Sequence, residues 1–267
     1  MYKNTIRRIL AKLGYEIRKT KGRAVPFENF ANLALAYEKR LNDVEDLITP
    51  NHLRAQLLAR LMGTPPSEAY YIIQALSKCR DLPGDVCEFG VAQGETSALI
   101  ANEIAASEKR LHLFDSFEGL PSPTEKDQLQ DDIFSLGSME AYAGAMACPD
   151  DMVRARLNTI SFPPERYILH KGFIEQLIHT ATNLPSQVCF AYVDFDFYEP
   201  IMITLEFLHP ITPVGAMIVV DDYGHFSTGA KTAVDEFVEA KCLAGMTYEC
   251  LIPDATYGYF AVLTKRS

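Results

Sequence analysis

From residue 84 onward the chain alternates short apolar runs with amphipathic stretches. The apolar runs predict strands at 85–90, 110–115, 166–170, 187–194 and 215–221, with two more near 246–251 and 259–264. Between them the spacing predicts helices at 95–107, 174–179, 199–208 and 228–244, and a broadly helical stretch over 138–159 interrupted near Pro149. Strands apolar on both faces that alternate with helices form a parallel sheet covered on both sides. Pro253 and Gly258 separate the last two strands, which read as an antiparallel hairpin added at one edge.

Upstream the pattern is helical near 27–47, 50–62 and 67–80, and Pro65-Pro66-Ser67 suits the start of the third helix. Residues 25–80 therefore read as a helical cap before an α/β domain spanning 81–267. Residues 1–24 are different in kind. Tyr2, Ile6, Ile9, Leu10, Leu13 and Ile17 recur at helical spacing, and basic residues fill most of the other face.

Charge sharpens that division. The chain has 25 Lys and Arg against 35 Asp and Glu, a net charge of −10. Eight basic residues against Glu16 give the first 24 residues +7, so the rest carries −17. An acidic body argues against nucleic acid as a partner. A basic amphipathic leader suits the surface of an anionic membrane through residues 1–20, or packing on its own domain or on a second subunit of a homo-oligomer. No apolar run reaches the roughly 18–20 residues of a membrane span, and no signal peptide is legible. A cytoplasmic protein is expected, peripheral at the inner face of the membrane if the leader binds lipid. Six cysteines without a C-x-x-C pair read as reduced thiols.

Ligands of an open α/β sheet bind outside the carboxyl ends of its strands. Here those ends read Glu88-Phe89-Gly90-Val91-Ala92-Gln93-Gly94, Asp115-Ser116, Gly172-Phe173, Asp194-Phe195-Asp196 and Asp221-Asp222. Acids at four of five strand ends are costly unless paired or used. Gly90 and Gly94 make a turn that a ligand can approach closely. Asp115 follows Gly90 by 25 residues, where a carboxylate can accept both ribose hydroxyls of an adenosine cofactor. The G-x-x-x-G spacing lacks the pyrophosphate-binding fingerprint, which favours a nucleoside over a dinucleotide. Asp194, Asp221 and Asp222 would repel one another unless a cation such as Mg²⁺ lay between them. The alternatives are a helix cap and an ion pair with Lys231. Asp196 could also be a ligand, but strand geometry makes it hard to use together with Asp194 unless the chain turns there. His170 and His225 are further bases within reach of this rim, and Phe195, Phe197, Tyr198 and Tyr223 read either as the floor of a sugar site or as core.

These residues, with Asp115-Ser116-Phe117-Glu118-Gly119-Leu120-Pro121 and Ala233-Val234-Asp235-Glu236-Phe237, resemble the macrocin O-methyltransferase (TylF) family over roughly residues 60–264. The resemblance implies a Rossmann-like methyltransferase fold, a mostly parallel seven-stranded sheet with a C-terminal antiparallel hairpin and an N-terminal helical segment. It implies S-adenosylmethionine and Mg²⁺ as cofactors and a sugar or glycan hydroxyl as methyl acceptor. It places Glu88, Gly90, Asp115 and Ser116 at the cofactor, with Gly94, Gly172 and Phe173 beside them. It places Asp194, Asp221 and Asp222 at the metal, Asp194 doubling as general base. Phe195 stands where the family usually has glycine, and the loop at 225–228 also departs from its pattern; both bear on the acceptor. Two rival readings are a metal-dependent glycosyltransferase using Asp194-Phe195-Asp196 and a catechol-type O-methyltransferase.

Overall fold

The structure is a computed structural model that describes residues 53–267. The basic leader and the helix expected at 27–47 lie outside the described residues. Two helices precede the sheet: α1 (Arg54–Leu58) and α2 (Pro66–Lys78). The sheet domain then runs β1 (Asp85–Phe89), α3 (Glu95–Glu103), β2 (Leu111–Asp115), α4 (Asp150–Thr159), β3 (Tyr167–Lys171) and α5 (Ile174–Thr180). It continues with β4 (Val188–Val193), α6 (Tyr198–Ile211), β5 (Met217–Val220), α7 (Gly229–Leu243), β6 (Tyr248–Leu251) and β7 (Ala261–Lys265).

The seven strands form one sheet in the order β3-β2-β1-β4-β5-β7-β6. The first five are parallel; β7 runs antiparallel to β5, and β6 pairs with β7 at the edge. Strand alternation divides the core in two. Val86, Leu111, Leu113, Phe190, Tyr192 and Val219 face the side packed by α2, α3 and α4, whereas Cys87, Phe89, Phe114, Val193, Ile218 and Val220 face α5, α6 and α7. Helix α2 docks through Ala69, Ile72, Ile73 and Leu76, all buried. A buried side chain of the Ile or Leu type contributes roughly 1.5–3 kcal/mol, so this stripe holds the helix despite a fully buried acid, Glu68, in its first turn.

The broadly helical stretch over 138–159 is interrupted near Pro149 as expected, and earlier as well. One 3₁₀ turn, Met139–Tyr142, ends before Gly144, and α4 starts only after Pro149. Gly144 adopts φ +78°, a left-handed conformation that stops helix propagation. The long segment between β2 and α4 instead folds back across the sheet's carboxyl edge. The buried Asp127 pins it by accepting the Thr124 and Tyr198 backbone N–H groups, each at 2.7 Å. The Gln130 N–H donates to the Phe226 carbonyl at 2.8 Å, which joins this segment to the loop after β5.

Candidate active site

The strand order changes direction between β1 and β4, and the carboxyl ends of β3, β2, β1, β4 and β5 line one rim across that switch point. The turn after β1 is tied down from the neighbouring strand. Asp115 accepts the N–H groups of Val91 (2.7 Å) and Ala92 (2.9 Å) through one oxygen and that of Phe117 (2.6 Å) through the other. A carboxylate has about four lone-pair sites, so Asp115 shapes the turn and keeps acceptor capacity for a ligand.

Gly90 adopts φ +85°, and a methyl group there would collide with the Asp194 backbone carbonyl. The sequence had assigned this glycine to ligand approach; the structure gives it a second task, the close packing of the β1 and β4 ends. Gly94 adopts φ +81° as the residue preceding α3, with Val153 of α4 packed beside it. Ser116 is buried and donates to the Gly119 carbonyl at 2.9 Å, fixing its own loop. The Gly172 N–H donates to the Asp115 carbonyl at 2.9 Å, and Phe173 precedes α5, so both stand beside Asp115 at the end of β3.

Glu88 lies on the α3 side of β1, buried, and no donor reaches either carboxylate oxygen. Burial pushes its pKa up to about 8, with the charges of Asp115 and Glu95 adding to it. An unpartnered carboxyl at the first strand end, with the Asp115 carboxylate near it, fits a ligand that brings hydroxyl donors and positive charge. S-Adenosylmethionine is such a ligand.

At the ends of β4 and β5 the carboxylates of Asp194, Asp196 and Asp222 converge, one oxygen of each within 4.8 Å of the others. Strand alternation is broken here because Asp196 adopts φ +62° and Asp222 φ +56°. Left-handed backbone at non-glycine residues is uncommon and costs energy, and it clusters at functional sites. The turn brings Asp196 alongside Asp194 and Asp222, adding it to the acids that the sequence reading assigned to a cation. Asp221 lies next to them in the chain. It accepts from the Tyr192 hydroxyl at 2.8 Å and from the Asp222 N–H at 2.8 Å. Burial first, then Asp221 and the other acids, push Asp194 well above the usual carboxylate range; burial and Asp222 do the same for Asp196. Burial and Asp222 raise Asp221 to about 6, against lowering hydrogen bonds from Tyr192, Asp222 and Glu68. Lys231 pairs with Asp235 at 2.5 Å and does not neutralise the group. Three oxygen donors with no amine partner suit a hard divalent cation.

The two histidines differ. His225 stands 3.5 Å from Asp222 and 3.4 Å from Asp131, and stacks on Tyr259 with ring centroids 4.6 Å apart. Its pKa is raised, chiefly by Asp222. His170 is buried, faces His112 at 3.0 Å and stacks on Phe114, so the structure pairs it with the sheet core rather than with the acids. The four aromatic positions near the rim each have a packing or hydrogen-bonding partner. Phe195 packs edge-on to Phe89, Phe197 is buried against Phe226, the Tyr198 hydroxyl donates to Glu236, and that of Tyr223 donates to Asp235. These four are packing and anchoring groups.

Sequence reasoning missed Glu68 and Tyr192, which stand behind the acid group. The signal for Glu68 was its register: it lies four residues before Ile72 on the apolar stripe of α2.

No curated protein sequence matches the chain. Among solved structures it is similar to the O-methyltransferase NovP, at 19% identity over 90% of this chain and 100% of that one, with a TM-score of 0.63. It is similar to the calicheamicin methyltransferase CalS11, at 19% identity over 94% of this chain and 99% of that one, TM-score 0.56. An apo structure of CalS11, described as a TDP-rhamnose 3′-O-methyltransferase, matches at 19% identity over 93% and 96%, TM-score 0.52. These likenesses establish the fold. The macrocin O-methyltransferase (TylF) model matches residues 72–249, which hold the whole rim described above. The chain belongs to the macrocin O-methyltransferase (TylF) family of S-adenosylmethionine-dependent O-methyltransferases.

Proposed function

We propose that this chain is a divalent-cation-dependent O-methyltransferase whose acceptor is a hydroxyl of a sugar or glycan. The observation that carries the cation reading is the convergence of Asp194, Asp196 and Asp222 beside the Glu88–Asp115 turn. Bound S-adenosylmethionine supplies a methyl group already activated by its sulfonium. What the chain must add is alignment and a place for the hydroxyl proton. Glu88, Asp115 and the 90–94 turn would hold the cofactor, with Gly172 and Phe173 flanking it. Asp194, Asp196 and Asp222 would hold Mg²⁺, and the carboxylate of Asp194 is the group assigned to take the proton.

Two observations favour a sugar acceptor. CalS11 is described as acting on TDP-rhamnose. In this chain Tyr259, 45% exposed, stacks on His225 next to Asp222 and offers an aromatic face beside the acids. Family membership removes the glycosyltransferase reading of Asp194-Phe195-Asp196. A planar phenolic acceptor is the remaining alternative.

The test is methyl transfer from labelled S-adenosylmethionine to a panel of nucleotide sugars, oligosaccharides and catechols, with Mg²⁺ or with EDTA. Transfer to sugars that EDTA abolishes and that Asp222→Asn loses is expected. EDTA-insensitive transfer would overturn the cation assignment, and transfer confined to catechols would overturn the acceptor. Residues 1–20 are proposed to place the enzyme at an anionic membrane surface, which binding of the full chain and of a chain lacking them to anionic vesicles would test. Among the described residues no helix is long and apolar enough to cross a membrane.

A further inference from the structure

The turn after β1 alternates in and out of left-handed backbone. Gly90 (φ +85°), Ala92 (φ +45°) and Gly94 (φ +81°) all lie there, and for Ala92, a non-glycine residue, the conformation is uncommon and costly. Such backbone persists only where the surroundings over-determine it. One set of ties acts on the N–H groups. The Gly90 N–H donates to the Phe114 carbonyl at 2.9 Å, Asp115 takes those of Val91 and Ala92, and the Gly94 N–H donates to the Val91 carbonyl at 2.8 Å. The far end of the turn is held at a carbonyl, and from a different element.

Arg156 of α4 supplies that hold. Its Nε donates to the Gln93 carbonyl at 2.5 Å, and its Nη2 reaches the Gln93 side-chain oxygen at 3.3 Å and pairs with Glu95, the first residue of α3. The guanidinium therefore bridges Gln93 and Glu95 across Gly94, the left-handed joint between turn and helix. A planar fork of donors can span such a joint, whereas an ammonium is a single point of charge. The packing brings the fork within reach, since a methyl group on Gly94 would stand 3.1 Å from Val153 Cα of α4. Helix α4 does not depend on the bridge for its own place, because Val153 and Leu157 are fully buried beneath it, while the Arg156 side chain is 30% exposed. We propose that Arg156 is a positioning residue for the cofactor, holding the 90–94 turn in the shape that receives S-adenosylmethionine. It acts through Gln93 and Glu95. Because α4 follows the segment that folds across the rim, one helix anchors both that segment and the cofactor turn. The inference rests on the proposed placement of the cofactor at this turn, and the experiment separates the two.

S-Adenosylhomocysteine binding to the full-length chain is measured by calorimetry, and amide hydrogen exchange is followed in the ligand-free protein. Wild type, Arg156→Ala, Glu95→Gln and Asp115→Ala are compared. Arg156→Ala should bind S-adenosylhomocysteine at least about 10-fold more weakly, the effect of losing a hydrogen bond from a charged donor. Exchange over residues 91–95 should accelerate by about the same factor, while exchange across β4 is unchanged. Glu95→Gln, which leaves the grip on the Gln93 carbonyl, should bind within about 3-fold of wild type. If Arg156→Ala does not fold, Arg156→Met keeps the apolar stem, removes the donors and should show the same two effects. Wild-type affinity in the Arg156 variant while Asp115→Ala binds weakly would overturn the inference alone. An equal loss in Glu95→Gln would assign the effect to the charge pair and overturn the grip on the turn. Wild-type affinity in both Arg156→Ala and Asp115→Ala would overturn the placement of the cofactor itself.

Discussion

Replacing Glu88 with Gln should flatten the pH dependence of folding. Glu88 is 1% exposed, and its pKa rises from an ordinary value of 4.5 to about 8, through burial above all. The folded state therefore holds this proton more tightly than the unfolded chain does. For a raised pKa the stabilising contribution is complete below the unfolded value and is lost as pH rises through the folded one. One pKa unit corresponds to about 1.4 kcal/mol, so the penalty is under ~1 kcal/mol at pH 5, about 3 kcal/mol at pH 7 and close to 5 kcal/mol above pH 9. Urea unfolding of the cofactor-free protein between pH 5 and 9 measures this directly. Wild type should lose about 4 kcal/mol more across that range than Glu88→Gln. Any constant offset from burying an amide cancels, because slopes are compared, and every other titrating group is common to both proteins. Superimposable profiles would refute the assignment of Glu88 as a buried carboxyl that stays protonated near neutral pH.

The acid side should show the opposite sign at His170, whose pKa burial and His112 lower to about 4. The folded state refuses a proton that the unfolded chain accepts from about pH 6.5, so stability should fall by about 3 kcal/mol between pH 6.5 and 4, and a His112→Phe/His170→Phe variant should lose that part of the acid limb in the same urea assay. Arg54 reaches from α1 to Glu103 of α3 with bonds of 2.7 and 2.5 Å, and the pair is almost wholly buried. Arg54→Ala should cost about 3–5 kcal/mol because it strands a buried carboxylate; a loss below ~1 kcal/mol by chemical denaturation would remove that ion pair from the account of how α1 is held. Asp115→Ala should free the amides of Val91, Ala92 and Phe117 and weaken S-adenosylhomocysteine binding in calorimetry, and unchanged affinity would reject its place in the cofactor site.

The sheet was legible because its strands are buried on both faces. Val188–Val193 and Met217–Val220 carry no charge, so their apolar runs are unbroken and their ends are marked by the first acid. The rim followed from those ends. Over 138–159 the break expected near Pro149 is present, and Gly144 adds a second interruption in a segment whose path is set by long-range ties such as that of Asp127 to Tyr198. The aromatic positions Phe195 and Phe197 were ambiguous because ring burial depends on the turn at Asp196, which composition does not reveal.

That same turn explains why Asp196 stayed an open candidate in the sequence. Period-2 alternation sends Asp194 and Asp196 to the same face as successive in-register residues only in a continuing strand, where they would lie too far apart to share one ion. The chain leaves the strand at Val193, and Asp196 then adopts a conformation that a sequence reader expects from glycine. Asp222 does the same after β5, held there by its neighbour's carboxylate. Two aspartates in left-handed backbone on adjacent strand ends are a local cost that folding alone does not repay, and a short polar side chain tolerates it best. The strain is what converts two separate strand ends into one facing group of oxygens. Asp221, bonded to the Asp222 N–H, and the Tyr192 hydroxyl bonded to Asp221 stand behind that turn, and Tyr192 belongs to no motif, which is why it entered the site only through the structure.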